Sequence, residues 1–356
     1  MNKFKQLVYI RPNVKEVKRE FKLLIKDFKK AESYEKAKQI YLLLQNLIME
    51  VATNYIIASI RNTINTSDEF YEDEMKFFND ELPKMMLMVK KGQESVLKSK
   101  FILDFDKEFG KHYTDTIKAA QKTMNLKVVL SLTKENNLKT AYSKKVASCK
   151  TIFRGEECNF YGLLKHMQSI DREERKEAFN SFAYMYEEVS QELDEIYDKL
   201  VEVRAKIAKK LKFQNYIDYI YLNRGRLDYG PKDVEAFRNH VINYIVPVCM
   251  QLYQEQAKRL GLDKLEYYDE DIMFGDGNAV PIGDKDYIVN TAQKMYRELS
   301  KETSDFFDFM VRYELFDLET KPNKHLGGYC TGLPKFKAPF IFSNFNGTSA
   351  DVDVLT

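Results

Sequence analysis

Four histidines, His112, His166, His240 and His325, are the chain's imidazoles, and no two of them stand four residues apart. No helix can therefore present the paired imidazoles of a zincin site, where ligands one turn apart hold zinc. A three-ligand site assembled from distant residues would leave no spacing signature, but a solitary histidine is ordinarily structural or solvated. Nucleophile patterns are also missing: there is no Gly-x-Ser-x-Gly elbow and no Walker loop. Gly327-Gly328 alone marks backbone bending or close approach. Asp269-Glu270-Asp271 and Gly275-Asp276-Gly277-Asn278 cluster oxygen ligands, yet the alternation and terminal Glu of an EF-hand are out of register, so a solvated turn is expected. Arg204, Lys206, Lys209, Lys210 and Lys212 share their helix with many acids, the pattern of a solvated face.

The elements that must position any site are mostly helical. Leu193, Ile196, Leu200, Val203, Ile207 and Leu211 recur in steps of three and four, placing one apolar stripe opposite charged residues. Before it, Asp171 is suited to cap a helix through Ala178, Phe182 and Met185, with Glu174 reaching back as in a capping box. Pro231 fits a first helical turn, Gly261 fits the residue after a helix end, and Pro247 should kink or split the segment between them. A further helix is expected after Asp284 or Asp286, burying Ile288, Ala292, Met295, Tyr296 and Leu299. From Gly327 onward the character changes: the high β-propensity and lack of charge from Ala338 into the 340s predict short strands in a small sheet.

Composition agrees. The 356 residues hold only 14 Gly and 8 Pro, and 56 Lys and Arg face 54 Asp and Glu for a formal charge of +2. So balanced a charge gives no whole-molecule field for nucleic acid or an anionic membrane. The 23 Tyr and 24 Phe lack a concentrated basic groove, so they read as helix cores rather than base-stacking platforms. The start meets Arg11 and Pro12 before any signal-length apolar run. The apolar stretch Ile40–Ile60 is broken by Gln45, Asn46, Glu50 and Asn54, which fits a buried helix better than a membrane span. Cys149, Cys158, Cys249 and Cys330 form no Cys-x-x-Cys pair, and reduced thiols in a cytoplasm are expected.

Several segments resemble oligoendopeptidase F, of the thimet-type zinc oligopeptidases. They are residues 327–331 (Gly-Gly-Tyr-Cys-Thr), residues 338–356 (Ala-Pro-Phe-Ile-Phe-Ser-Asn-Phe-Asn-Gly-Thr-Ser-Ala-Asp-Val-Asp-Val-Leu-Thr), Ser59 through Tyr71, Glu192 through Leu211, and Gln256 through Asp263. The resemblance implies a mainly α, multi-helical peptidase scaffold with a small β region near the C-terminus. It implies an N-terminal helical region over 1–110, a helical oligopeptidase domain over 111–190, and part of a zinc peptidase domain over 191–356. The family's His-Glu-x-x-His motif follows directly after the segment ending here at Thr356 and is not within these 356 residues. The chain is therefore expected to be only the N-terminal portion of a zinc metalloendopeptidase, its zincin domain incomplete, with no catalytic or metal residue and no activity alone. Zinc is expected for the complete family member and not for this chain.

What the resemblance still transfers is peptide positioning, since zincins hold extended peptides against an edge strand by backbone hydrogen bonds. Ile341–Phe345, including Ser343 and Asn344, is the candidate strand, with Gly327, Gly328, Tyr329 and Cys330 as a neighbouring cleft wall; plain core strands are the competing reading. Thr348 or Ser349 would cap a final helix, with Asp351 and Asp353 at its positive end, and that end is expected to fray. The expected partners are an oligopeptide and a possible complementary C-terminal peptidase fragment, not nucleic acid or membrane. The alternatives to the fragment reading are a non-catalytic peptide-binding or scaffold protein, or one half of a split peptidase.

Overall fold

Side-chain oxygens start many of the helices: Asn13, Ser33, Asp68, Asp171, Asn215, Asp284 and Ser300 each accept a first-turn backbone N–H. The computed structural model describes residues 1–355. Its helices begin with α1 (Val14–Lys29), α2 (Tyr34–Ile64), α3 (Glu69–Leu97), α4 (Ile102–Phe109), α5 (Lys111–Thr123) and α6 (Val129–Ala147). A small hairpin of β1 (Thr151–Phe153) and β2 (Glu156–Cys158) precedes α7 (Phe160–His166), α8 (Arg172–Glu187), α9 (Ser190–Lys210) and α10 (Tyr216–Asn223). Then follow α11 (Pro231–His240), α12 (Val246–Arg259), α13 (Lys285–Leu299) and α14 (Lys301–Arg312). The chain closes on β3 (Phe316–Glu319), β4 (Tyr329–Leu333), β5 (Ala338–Phe345) and the single turn α15 (Ala350–Asp353). The mainly α fold with a small C-terminal β region is what the sequence implies.

One core joins the chain's two ends: Phe4 and Leu7 pack with Ile57 and Ile60 of α2 against Leu333, Phe340 and Phe342 of the sheet. The stripe of α9 buries Leu200, Val203 and Ile207, and Pro231 and Gly261 stand where expected. Ahead of Pro247 the helix loosens into a π turn over Val241–Ile245, which separates α11 from α12. α2 buries Ile40, Leu44, Val51 and Ile57, and by length and composition it is the one helix among the described residues able to cross a membrane.

Several local expectations change. Asp171 caps α8, but Glu174 does not reach back; it accepts from Ser169 Oγ (2.9 Å) and pairs with His166 Nδ1 (2.7 Å). α13 buries Ile288 and Ala292, while Met295 and Leu299 are exposed. Asp269 does not lie in a solvated turn. It is fully buried, bound by Arg172 (2.8 Å) and Arg175 (2.8 Å) of α8, while Glu270 and Asp271 stay exposed. Burial alone would raise its pKa, but the two guanidiniums overcome that and hold it down at about 2.

The end of the chain is also different. Neither Thr348 nor Ser349 caps α15 with its side chain. The Asp351 carboxylate instead accepts the backbone N–H groups of Asn346 (3.1 Å) and Gly347 (2.7 Å), and Thr348 Oγ1 donates to Asn346 Oδ1 (2.8 Å). The end is not frayed through residue 355: Leu355 is 3% exposed among Ile288, Phe307, Leu318 and Phe345, and its carbonyl accepts the Tyr296 hydroxyl at 3.0 Å.

α11, the π turn and α12 stand apart from this packing. α11 and the π turn have no buried residue, and residues 241–254, fourteen in a row without a charge, expose Ile242, Tyr244, Ile245, Val248, Met250 and Leu252. A helix apolar on all sides is ordinarily enclosed on all sides.

Candidate peptide-binding edge

The sheet has the order β3-β5-β4, with β5 parallel to β3 and antiparallel to β4. Ile341–Phe345 is therefore the middle strand and not an edge, which corrects the expectation that its backbone is free to take a peptide. Its apolar residues are shared by two cores, and Ser343, Asn344 and Phe345 are buried. The edge strands are β3 and β4, and the expected wall residues Tyr329 and Cys330 lie on β4.

Register decides which groups that edge offers. Cys330 stands opposite Ile341, whose N–H donates to the Leu315 carbonyl on the β3 side at 3.0 Å. The Cys330–Ile341 pair is thus a non-hydrogen-bonded one, and Cys330 turns its own N–H and C=O outward. Gly332, two residues on and opposite Pro339, does the same. Both residues are exposed, a Cβ added to Gly332 would meet nothing within 4 Å, and among the described residues no strand covers this side.

The wall beside it is held from within. Asn344 Nδ2 donates to the carbonyls of His325 (3.0 Å) and Gly327 (2.8 Å), fixing the turn that Gly327 makes at φ +90°. Gly328 lies close to the middle strand: a Cβ there would sit 3.3 Å from the Phe342 carbonyl oxygen, so a larger residue would push the backbone back by a few tenths of an ångström. Tyr329 stacks on Phe342 with ring centroids 4.7 Å apart, and its hydroxyl meets Thr63 Oγ1 at 2.6 Å; burial pushes its phenol up to about 12, so it stays protonated. Of the expected site residues, then, Cys330 faces the open edge, Gly327, Gly328 and Tyr329 shape its start, and Asn344 positions them from below.

Two contributors escaped the sequence reading. Thr63 and Thr66 of the early matched segment clamp the 323–329 loop: the Thr63 carbonyl accepts from His325 N–H (2.8 Å), and the Asn323 carbonyl accepts from Thr66 N–H and Oγ1 at 2.8 Å each. Lys324 is fully buried and donates to Asp317 Oδ1 (2.6 Å) and the Glu319 carbonyl (2.7 Å), tying the loop to β3; burial lowers its pKa. No spacing signal marks a lysine for burial.

A cavity of about 450 Å³ adjoins the start of β4, lined by Thr63, Ser143 and His325 together with apolar Met75, Leu82 and Met86. His325 Nε2 and Ser143 Oγ are 3.1 Å apart, but His325 Nδ1 has no partner, so no carboxylate orients the imidazole as a triad requires. The donors do not fit zinc either. His166 is paired with Glu174 and His325 with Ser143, His112 lies on α5 and His240 on α11, and no group of three or more His, Cys, Asp or Glu among the described residues could hold a metal. What the arrangement offers is a strand edge with no partner strand among the described residues.

Residues 4–124 match the Peptidase M3 N-terminal domain and residues 165–273 match Peptidase family M3. Over these two stretches the chain resembles peptidase family M3. Within that class it is similar to an assigned oligoendopeptidase F from Bacillus anthracis str. Ames, at 40% identity and a TM-score of 0.98, and to PZ peptidase A solved with an inhibitor, at 40% identity and 0.98. These similarities cover 100% and 99% of this chain, and it spans 65% and 63% of those chains. No curated protein matches. The expectation that this chain is only the N-terminal portion of a zinc metalloendopeptidase, with an incomplete zincin domain, is corrected to what the coverage shows: the fold follows oligoendopeptidase F along 100% of this chain, which spans 65% of that protein. His-Glu-x-x-His does not occur in these 356 residues.

Proposed function

We propose that this chain is a peptide-binding member of family M3 which seats an extended oligopeptide along the outer edge of β4 and does not cleave it by itself. The observation that carries this reading is the outward-turned backbone of Cys330 and Gly332, with the open space beside them. Such an edge binds by main-chain hydrogen bonds and tolerates many side chains, as suits an oligopeptide ligand in the cytoplasm. Among the described residues no group of three or more His, Cys, Asp or Glu could hold a zinc ion.

Fluorescence anisotropy with a labelled ten-residue peptide tests it. Gly332→Pro deletes one outward N–H without touching a ladder bond, and proline is tolerated on an edge strand. Affinity is expected to fall roughly fivefold, the worth of one net hydrogen bond. A quenched peptide with added zinc should show no turnover; chelator-sensitive cleavage by the purified chain would overturn the reading.

The bare helical spine supports a second reading, one half of a split peptidase. Thirteen consecutive uncharged residues, 242–254, are exposed and call for a cover, and the M3 relatives carry a further third of chain that this one does not span. Sedimentation with that unspanned part of the Bacillus anthracis protein, supplied separately, should give a one-to-one complex; two unassociated species would remove this reading.

A further inference from the structure

α1 carries Lys15, Lys18, Arg19, Lys22 and Lys26 along one surface, at steps that keep them on one side of the helix. That stripe runs at Lys22 into a cleft of about 810 Å³ between α1, α3 and residues 98–101. The cleft exists because α1 and α3 touch at Phe21 and Gly92, where a Cβ on the glycine would come within 2.9 Å of the ring, and separate beyond it. Lys22, Lys29, Lys30, Lys91, Lys98 and Lys100 line it, with Glu32 and Glu94 as its acids, over an apolar floor of Ile25, Phe28 and Phe101.

Ten basic groups thus lie on one continuous surface with three acids, Glu32 and Glu94 in the cleft and Glu81 beside Lys18, in a chain whose net charge is only +2. Among the described residues only two of the ten are ion-paired, Lys98 with Glu94 (2.6 Å) and Lys18 with Glu81 (3.4 Å). Two helix C-termini end here and explain part of the lysine excess, but each supplies only about half a negative charge. The six lysines and two glutamates of the cleft therefore keep a clear positive surplus. Neighbours one helical turn apart lie within the ~8 Å screening length of physiological salt, so their fields add.

We propose that this stripe and cleft bind an acidic peptide segment, the carboxylates along α1 and an apolar side chain over Phe28 and Phe101. The apolar floor of Ile25, Phe28 and Phe101 favours a peptide, which brings aliphatic side chains beside its carboxylates, over the charged backbone of nucleic acid. A membrane is disfavoured because the stripe offers Leu23 alone as an exposed apolar side chain for insertion. The surface shares no residue with the β4 edge, so it stands or falls separately from the reading above.

The test is anisotropy of a labelled ten-residue glutamate peptide with two leucines, against the same peptide with glutamine for glutamate. The acidic peptide alone should bind, more weakly as salt rises, and Lys22→Glu with Lys91→Glu should cut its affinity at least about tenfold. Both lysines are exposed, so their replacement should leave the thermal midpoint in place. Lys232→Glu on α11 is the control and should change nothing. Equal binding of the two peptides, insensitivity to the double charge reversal, or tighter binding of phosphatidylserine vesicles or single-stranded RNA would each overturn the proposal.

Discussion

Cys330 turns its backbone away from Ile341, its cross-strand partner, because the Ile341 N–H is committed to Leu315 on the other side of β5. One hydrogen bond on the far side of the middle strand thereby sets which groups of β4 meet solvent. An incoming strand would pair with Cys330 and Gly332, while Tyr329, Thr331 and Leu333 spend their backbone on β5 and their side chains on the core.

A thiol on that edge is a reporter. Cys330 and Cys249 are both exposed, whereas Cys158 is buried, so N-ethylmaleimide should label the first two quickly. A bound oligopeptide should slow labelling of Cys330 and leave Cys249 unchanged. Peptide-mass mapping after timed quenching reads both; equal protection of the two, or of neither, would count against a peptide on β4.

Much of the fold was legible in local patterns. The α9 stripe, the Asp171 and Asp284 caps, and Pro231 at a first turn follow from spacing and hydrogen-bonding needs that act within a few residues. Strand order is not local: nothing in Ala-Pro-Phe-Ile-Phe-Ser-Asn-Phe states that it lies between two others, although its near-continuous apolar run fits a strand enclosed on both sides. Asp269 was misread for a related reason, since its acidic neighbours look solvated and the arginines that bury it are 94 and 97 residues away. The exposure of Leu299 and of residues 241–254 reflects where the packing partners are, which periodicity does not encode.

The Asp269 clasp makes a pH prediction. Its carboxylate has a native pKa of about 2 against an ordinary 3.8, so the unfolded chain takes up its proton first as pH falls. The stabilisation is whole above about pH 5 and is lost progressively from there to about pH 1, with about 2 kcal/mol gone by pH 2. The stability gap between the natural chain and Asp269→Asn should therefore shrink by about that amount from pH 6 to pH 2. Urea unfolding at a series of pH values measures it; a gap independent of pH would show that the arginines do not hold the charge.

Leu355 provides a measure of how firmly the last turn is seated. A frayed residue would lose nothing on truncation, whereas a leucine buried among Ile288, Phe307, Leu318 and Phe345 leaves a cavity. Leu355→Ala is expected to cost about 2–4 kcal/mol, and Tyr296→Phe, which removes the hydroxyl on the Leu355 carbonyl, about 1 kcal/mol. Chemical denaturation reads both changes; no effect of either would return the fraying picture.

The bare spine yields an opposite expectation, because its apolar side chains contribute little to folding. Ile242 and Ile245 are 60% and 54% exposed in a π turn with no buried residue. Replacing them with lysine and glutamate removes no core contact, so stability should move by no more than about 0.5 kcal/mol. Association is different: an exposed uncharged run of this length is a sticky surface, and breaking it with charge should lower light scattering at high concentration. Paired measurements of unfolding and scattering on the double variant separate the two effects. A large loss of stability would mean that the spine is already packed within the chain, and unchanged scattering would mean that it is not the surface through which copies adhere.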